Sequence, residues 1–373
     1  MQEQELRERL AAIDVPPVRL TVDDLVGSGR RRVRRRRTLQ AAGAAAVATG
    51  VLLAMSPVLF GHGHGRIPSV AVSTVRCPVR VLPLPPGADS VSADAVDPSG
   101  RYILGNQDTG PAGPRPVLWT DGHPQVLPLI TKTAQATAVN ANGVVVALAA
   151  DTESQDWDAI LRYTDARPAR LTPPPGQWLF TGNAKINTAG DILVSAASRT
   201  EPRAAVFLWP AGSTTGIKLP LPAGAAGFDL TDDGTIVGDI LSVDGKKVTA
   251  YAWDRGGNSR KLAVAAGQDS EAFTARGQWA AGNLRPSGAA ARWNLRTGAL
   301  TMLDDVNGMA DAVNVDGWVV AGEGVHRDDA PVKLAPVGRD TGYPIAIADN
   351  GTVVGTLQQA PGRSKAPLAW SCH

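Results

Sequence analysis

Between Ala93 and Trp370 the apolar residues come in short runs separated by turns rich in Gly, Asn and Asp. Such runs are too short for helices, and their punctuation is that of strands joined in hairpins. Seven segments repeat one pattern: a small or apolar run ending near Asn or Asp, a turn with Gly, then a β-rich run closing on a small residue. They read SADAVDPSGRYILG, ATAVNANGVVVA, NAKINTAGDILVS, GFDLTDDGTIVG, EAFTARGQWAAG, ADAVNVDGWVVAG and IAIADNGTVVG. Their turn glycines are Gly100, Gly143, Gly190, Gly234, Gly277, Gly317 and Gly351, spaced 34 to 47 residues apart. An aromatic follows six of the seven at a nearly constant distance: Trp119, Trp209, Trp253 and Trp370 at 19 residues, Tyr163 at 20 and Trp293 at 16, with none in the sixth segment. Five Trp at one repeat position read as core between repeats rather than as ligand contacts.

Each unit predicts four strands: the AVN-type run, the VVVA-type run after the Gly turn, a run ending at the aromatic, and a VLPL-type run. Four short strands per 40 to 45 residues is the period of a propeller blade. The units resemble the HAF-repeat family, whose pattern A-x-A-I-N-x-x-G-x-V-V-G followed by A-F-L-W matches from Ala93 to Trp370. That resemblance implies a bladed β-architecture and says almost nothing about activity.

The seventh unit ends at Trp370-Ser371-Cys372-His373 without a fourth strand, whereas Cys77 to Leu84 is a run of fourth-strand type with nothing before it. Joining the two reproduces the layout of the first unit. The expected fold is therefore an all-β, seven-bladed β-propeller whose last blade is built from both ends of the domain. Cys77 and Cys372 are the only cysteines. They leave a choice between one disulfide and two free thiols; the shared hairpin brings them together, and an extracytoplasmic location favours the disulfide.

Ahead of the repeats the pattern changes. Residues 38–60 form 23 positions without a charge, enough at ~1.5 Å per residue to cross a ~30 Å hydrocarbon core. Seven Arg fall within Arg30–Arg37 immediately before them, which predicts a single-pass membrane anchor with its N-terminus in the cytoplasm. A cleaved export signal is the competing reading, but the segment before the apolar run is long and no clear A-x-A site follows Phe60. Either way the remainder leaves the cytoplasm. The organisation expected is a basic segment over 1–37 with two short helices, a membrane helix over 38–60, a Gly/His linker over 61–72 and the propeller over 73–373.

Charge and candidate chemistry change this picture little. The net charge of +2 conceals ten Arg and six carboxylates in residues 1–37, so the rest is slightly acidic and offers no footprint for nucleic acid. No nucleophile elbow, zinc-protease motif or phosphate loop occurs, and the five His are scattered. Asp229, Thr231 and Asp233 echo a calcium loop, but Ile240 stands where its Glu would. No catalytic residue, metal or cofactor is predicted. Function is expected on the rim formed by second-to-third and fourth-to-first strand loops, where charge and length vary most: residues 151–158, 199–203, 244–247, 326–329 and 358–365. Trp157 and Trp178, assigned to the second blade, with Lys246, Lys247 and Arg327, are the candidate binding residues. These observations favour a monomeric, non-enzymatic surface module that binds a protein or cell-wall glycan. The alternatives are an extracellular glycan hydrolase or lyase on the same scaffold and a membrane signalling protein with a sensing propeller.

Overall fold

The computed structural model describes residues 76–152, 156–200, 204–328, 330–358 and 365–372. The expected N-terminal helices, basic run, membrane span and linker lie outside the described residues. Among those described, no helix is long and apolar enough to cross a membrane.

Seven antiparallel sheets follow one another along the chain, each a meander in sequence order. The inner strands are Ala95–Val96, Thr133–Val139, Trp178–Ile186, Ala225–Leu230, Asp269–Arg276, Ala310–Val313 and Tyr343–Ile347. Each touches the inner strand of the next blade and the seventh touches the first, so the ring closes. Closure takes the expected form. Val79–Val81 pairs with Lys365–Ser371 as the outer strand of blade 7, Val79 opposite Trp370. Cys77 and Cys372 form a disulfide with Cα atoms 4.7 Å apart. One feature was not foreseen: Arg76–Cys77 runs parallel to Ala330–Leu334 and adds a fifth strand to blade 6.

The repeat aromatics fill the seams between blades. Trp119, Trp209, Trp253, Trp293, Trp370 and Tyr163 are all buried. Four of the indoles also latch one blade to the one before it. Their Nε1 groups donate to carbonyls just beyond the preceding blade's outer strand: Trp119 to Pro83 (2.8 Å), Trp209 to Thr172 (3.0 Å), Trp293 to Ala263 (2.6 Å) and Trp370 to Ala335 (2.9 Å). Trp253 Nε1 and the Tyr163 hydroxyl are buried without a partner. The outer strands are shorter than expected, two to four residues in blades 1 to 4. Their VLPL-type runs leave the ladder at a buried leucine: Leu82, Leu127, Leu171, Leu219 and Leu262. Burial of that leucine, with its N–H still bonded to the third strand, fixes each outer edge in place.

Candidate functional site

The inner strands do not run true. In blades 2, 4, 5, 6 and 7 the register with the second strand skips one residue: Thr137, Phe228, Phe273, Asp311 and Ile345. In blade 1 the pairs Val91–Gln107 and Ala95–Leu104 leave the same surplus, and Asp94 holds the equivalent place. Blade 3 has a larger interruption between Thr181 and Lys185, where Gly182 and Asn183 are exposed. A bulge removes one residue from the ladder and re-aims its side chain. On an inner strand, whose free edge borders the channel, such a residue is a candidate for the channel wall; Thr137 instead is buried and donates to Ala184 O of blade 3.

The second strands accommodate the bulge with glycine. A Cβ on Gly105, Gly238, Gly282 or Gly355 would stand 1.8–2.0 Å from the carbonyl oxygen of Ser92, Ala226, Glu271 or Tyr343. The next residue then reaches the bulge of the following blade. Asn106 accepts from Ala136 N and donates to Ala136 O. Ser195 does the same with Gly227, and Thr356 accepts from Ala93 N. Asn283 holds this register place in blade 5; it is buried, and its Oδ1 has no partner. In blade 4 the place is taken by a buried carboxylate, Asp239.

The resulting ring is chemically lopsided. Phe228 and Phe273, from blades 4 and 5, meet edge to face with centroids 5.7 Å apart. In a seven-membered ring these blades lie opposite blade 1, which carries Asp94. Ser92 Oγ and Asn106 Nδ2 donate to Asp94 Oδ2 at 2.6 and 2.8 Å. Desolvation dominates over these bonds and over the charge of Lys365, so the Asp94 pKa is raised above the usual carboxylate value. Two ion pairs lie on blades 3 to 5: Lys185 Nζ is 3.5 Å from Asp229, and Arg285 2.6 Å from the buried Glu271.

One end of the channel is tied across. Arg276, in the first turn of blade 5, donates to Asp232 of blade 4 and to Asp349 of blade 7, each at 2.7 Å. Burial alone would lower the guanidinium's pKa, but Asp349 and Asp232 outweigh it and hold the pKa above its ordinary value. Turn-to-turn bonds continue around this end: Asn140 to Asn187 O, Asn187 to Thr231 O, Asn314 to Ala348 O and Asn350 to Ser99 O. The other end of the channel carries the second-to-third strand loops expected to form the rim.

The predicted binding residues do not converge. Trp157 is half-buried and packs on the core between blades 2 and 3. Trp178 belongs to blade 3, not blade 2, because it opens that blade's inner strand. Its ring meets Phe207 at 4.8 Å and its Nε1 donates to Pro174 O, so it is a packing residue more than an exposed platform. Lys246 and Lys247 sit at a hairpin tip of blade 4, as expected, and Lys246 Nζ lies 3.9 Å from Asp244. Arg327 is on the opposite face. Blade 6 turns from second to third strand at Gly322–Glu323, so residues 326–329 precede its outer strand. The guanidinium of Arg327 lies 4.4 Å from the Trp318 ring centroid, at the start of the second strand. The missing aromatic of this unit and its short strands displaced the expected register.

Asp94, Phe228, Phe273, Asp311, Asn283 and Arg276 were not singled out from sequence. For Asp94, Phe228, Phe273 and Asp311 the signal was the variable residue inside the A-x-A-V-N motif, which strict alternation assigns to an ordinary strand face; Asn283 and Arg276 fall outside that position. Among the described residues no group of three His, Cys, Asp or Glu is placed to hold a metal ion.

No family model matches the chain, and no curated protein matches it in sequence. Solved structures do match in shape. A Mycobacterium tuberculosis puromycin-hydrolyzing peptidase is 14% identical, with a TM-score of 0.53 over 79% of this chain and 55% of that one. The acylaminoacyl peptidase of Pyrococcus horikoshii is 10% identical, with a TM-score of 0.53 over 76% and 51%. The WD40 repeats of RRP9 are 14% identical, with a TM-score of 0.51 over 80% and 100%. The chain thus spans about half the length of the two peptidases. At such identities the likeness is one of fold.

Proposed function

We propose that this chain is a non-enzymatic binding module, held outside the cell by residues 38–60, whose recognition site is the end of the propeller channel opposite the Arg276 tie. The lopsided bulge ring supports this reading: Asp94, with its Asn106 donor, and the Phe228–Phe273 pair stand at the innermost strands of a closed ring, and Arg276 ties one end of the channel. The disulfide fits an oxidising compartment. Placement outside the membrane rests on the Arg-flanked apolar run, and the repeat's resemblance to the HAF-repeat family is consistent with it. The partner is a protein or a glycan of the cell envelope, met by a single copy of the chain.

The reading is tested by retention on cell-envelope fractions. Asn183 is exposed on the inner strand of blade 3, so Asn183→Trp crowds the channel without disturbing the core. This variant should lose about tenfold or more in retention, since it occludes the site, whereas Trp157→Ala should change it little. Equal retention of Asn183→Trp and wild type would place recognition elsewhere.

A second reading has one observation in its favour. A carboxyl whose pKa burial raises above the usual carboxylate value, as at Asp94, suits a general acid of a glycan-cleaving enzyme. Glycoside turnover by wild type and its loss in Asp94→Asn would favour that reading.

A further inference from the structure

We infer that blade 6 is the opening unit of the ring, and that the pair of Arg276 and Asp349 keeps the ring closed while that blade opens. This inference needs no ligand and stands apart from the reading above. Blade 6 is the least built of the seven. Its second and third strands, Val319–Ala321 and Gly324–Arg327, have three and four residues, whereas every other blade has six or seven at both places. Shorter ladders leave less to lose when the strands part. His326 stands where the other blades carry Trp or Tyr, so the indole latch seen at Trp119, Trp209, Trp293 and Trp370 is missing from the seam with blade 5. What that seam does have is Arg292 of blade 5, which donates to Gly317 O in the first turn of blade 6 at 2.6 Å.

Much of what holds blade 6 comes from blade 7. On its outer edge, Cys77 of the fifth strand is joined covalently to Cys372, next to the end of blade 7's third strand. On its inner side, Val315 N in the first turn donates to Asp349 Oδ1 at 2.9 Å, and Asn314 Nδ2 donates to Ala348 O. Blade 7 also has a hold that bypasses blade 6. Arg276 of blade 5 reaches past it and grips Asp349 with Nε and Nη2, at 3.0 and 2.7 Å from Oδ2. Its Nη1 is held by Asp232 of blade 4 at 2.7 Å. The Arg276 and Asp349 side chains are only 21% and 23% exposed, so this charge-assisted fork is partly shielded and outlasts an opening beside it. A blade that opens inside a closed ring lets the channel wall yield without unfolding the molecule.

The experiment is native-state amide hydrogen exchange of the full chain in detergent, read by mass spectrometry over a series of low urea concentrations. In the wild type, peptides from 310–327 should exchange about tenfold or more faster than inner-strand peptides of blades 2 to 5. Their rate should hardly depend on urea, because a local opening exposes little surface. Peptides from 343–357, in blade 7, should stay slow. Arg276→Gln cuts the grip on Asp349, so blade 7 should then exchange about tenfold or more faster, in step with blade 6. Asp349→Asn, which keeps an oxygen for Val315 N, should do the same and decides the matter if Arg276→Gln fails to fold. Asp232→Asn loosens only the arm to blade 4 and should leave blade 7 slow. Exchange of blade 6 at the pace of blades 2 to 5 overturns the inference. So does slow exchange of blade 7 in both Arg276→Gln and Asp349→Asn, or equal acceleration of blade 7 by Asp232→Asn.

Discussion

At the scale of single residues, the fold tolerates buried polar groups at a cost, and two of them make predictions. The Tyr163 hydroxyl is buried among apolar side chains without a partner, and burial pushes its pKa up to about 12. Tyr163→Phe removes the unpaired group and should stabilise the protein by ~1 kcal/mol in urea unfolding. Trp209→Phe does the reverse: it deletes the latch to Thr172 and should cost ~1 kcal/mol or more. Asp94 is the second case. Its pKa is raised in the fold, so the native state binds more protons than the unfolded chain between the ordinary value of 3.8 and the raised one. Stability therefore falls as pH rises through that window, and the penalty is fully present above it. Asp94→Asn keeps an oxygen for Ser92 and Asn106 and removes the charge. It should raise the melting temperature at pH 7 and leave it unchanged near pH 3; an equal shift at both values would mean that charge is not the cause. A carboxyl retained at a cost to stability is what a binding site requires.

At the scale of elements, the repeat motif encodes a bulge together with the residue that permits it. Gly282→Ala would drive a Cβ to 1.8 Å from Glu271 O, and the strand cannot yield without losing the register that aims Phe273. The expected loss is ~1–3 kcal/mol or more, the cost of overpacking a closed site, read as a lower denaturation midpoint. Strand number, turn positions and the seam role of the aromatics were legible in the sequence because turn glycines and Trp recur at fixed spacing. The bulges were not, since one surplus residue per strand looks like ordinary variation unless pairing is known. Arg327 shows the same limit from the other side. In blade 6 the strands shorten and the place of the aromatic is taken by His326, so counting from the repeat put a third-strand residue on the wrong face. Trp157 and Trp178 stood out as rim aromatics because they break the repeat, but the core between blades 2 and 3 partly absorbs both.

At the scale of the whole molecule, everything depends on the ring being closed by its own ends. The channel has a defined set of walls only if blade 7 completes itself with Val79–Val81 and brings its inner strand against that of blade 1. The disulfide sits at that join, across a sequence separation of 295 residues. Replacing Cys77 and Cys372 by Ser should lower stability by ~2–4 kcal/mol, mainly by freeing the unfolded chain. Blade 7 should be the first to exchange amide hydrogens in that variant. The sequence exposed this closure because a fourth-strand run stood unpaired at one end and a missing strand at the other. The parallel pairing of Arg76–Cys77 with blade 6 had no such signal, since two residues carry no periodicity. The most direct test is peptide mapping of the oxidised protein without reductant. The account predicts a single linked pair of peptides containing Cys77 and Cys372, separated on reduction. Recovery of the two as free thiols from folded, oxidised protein would contradict it.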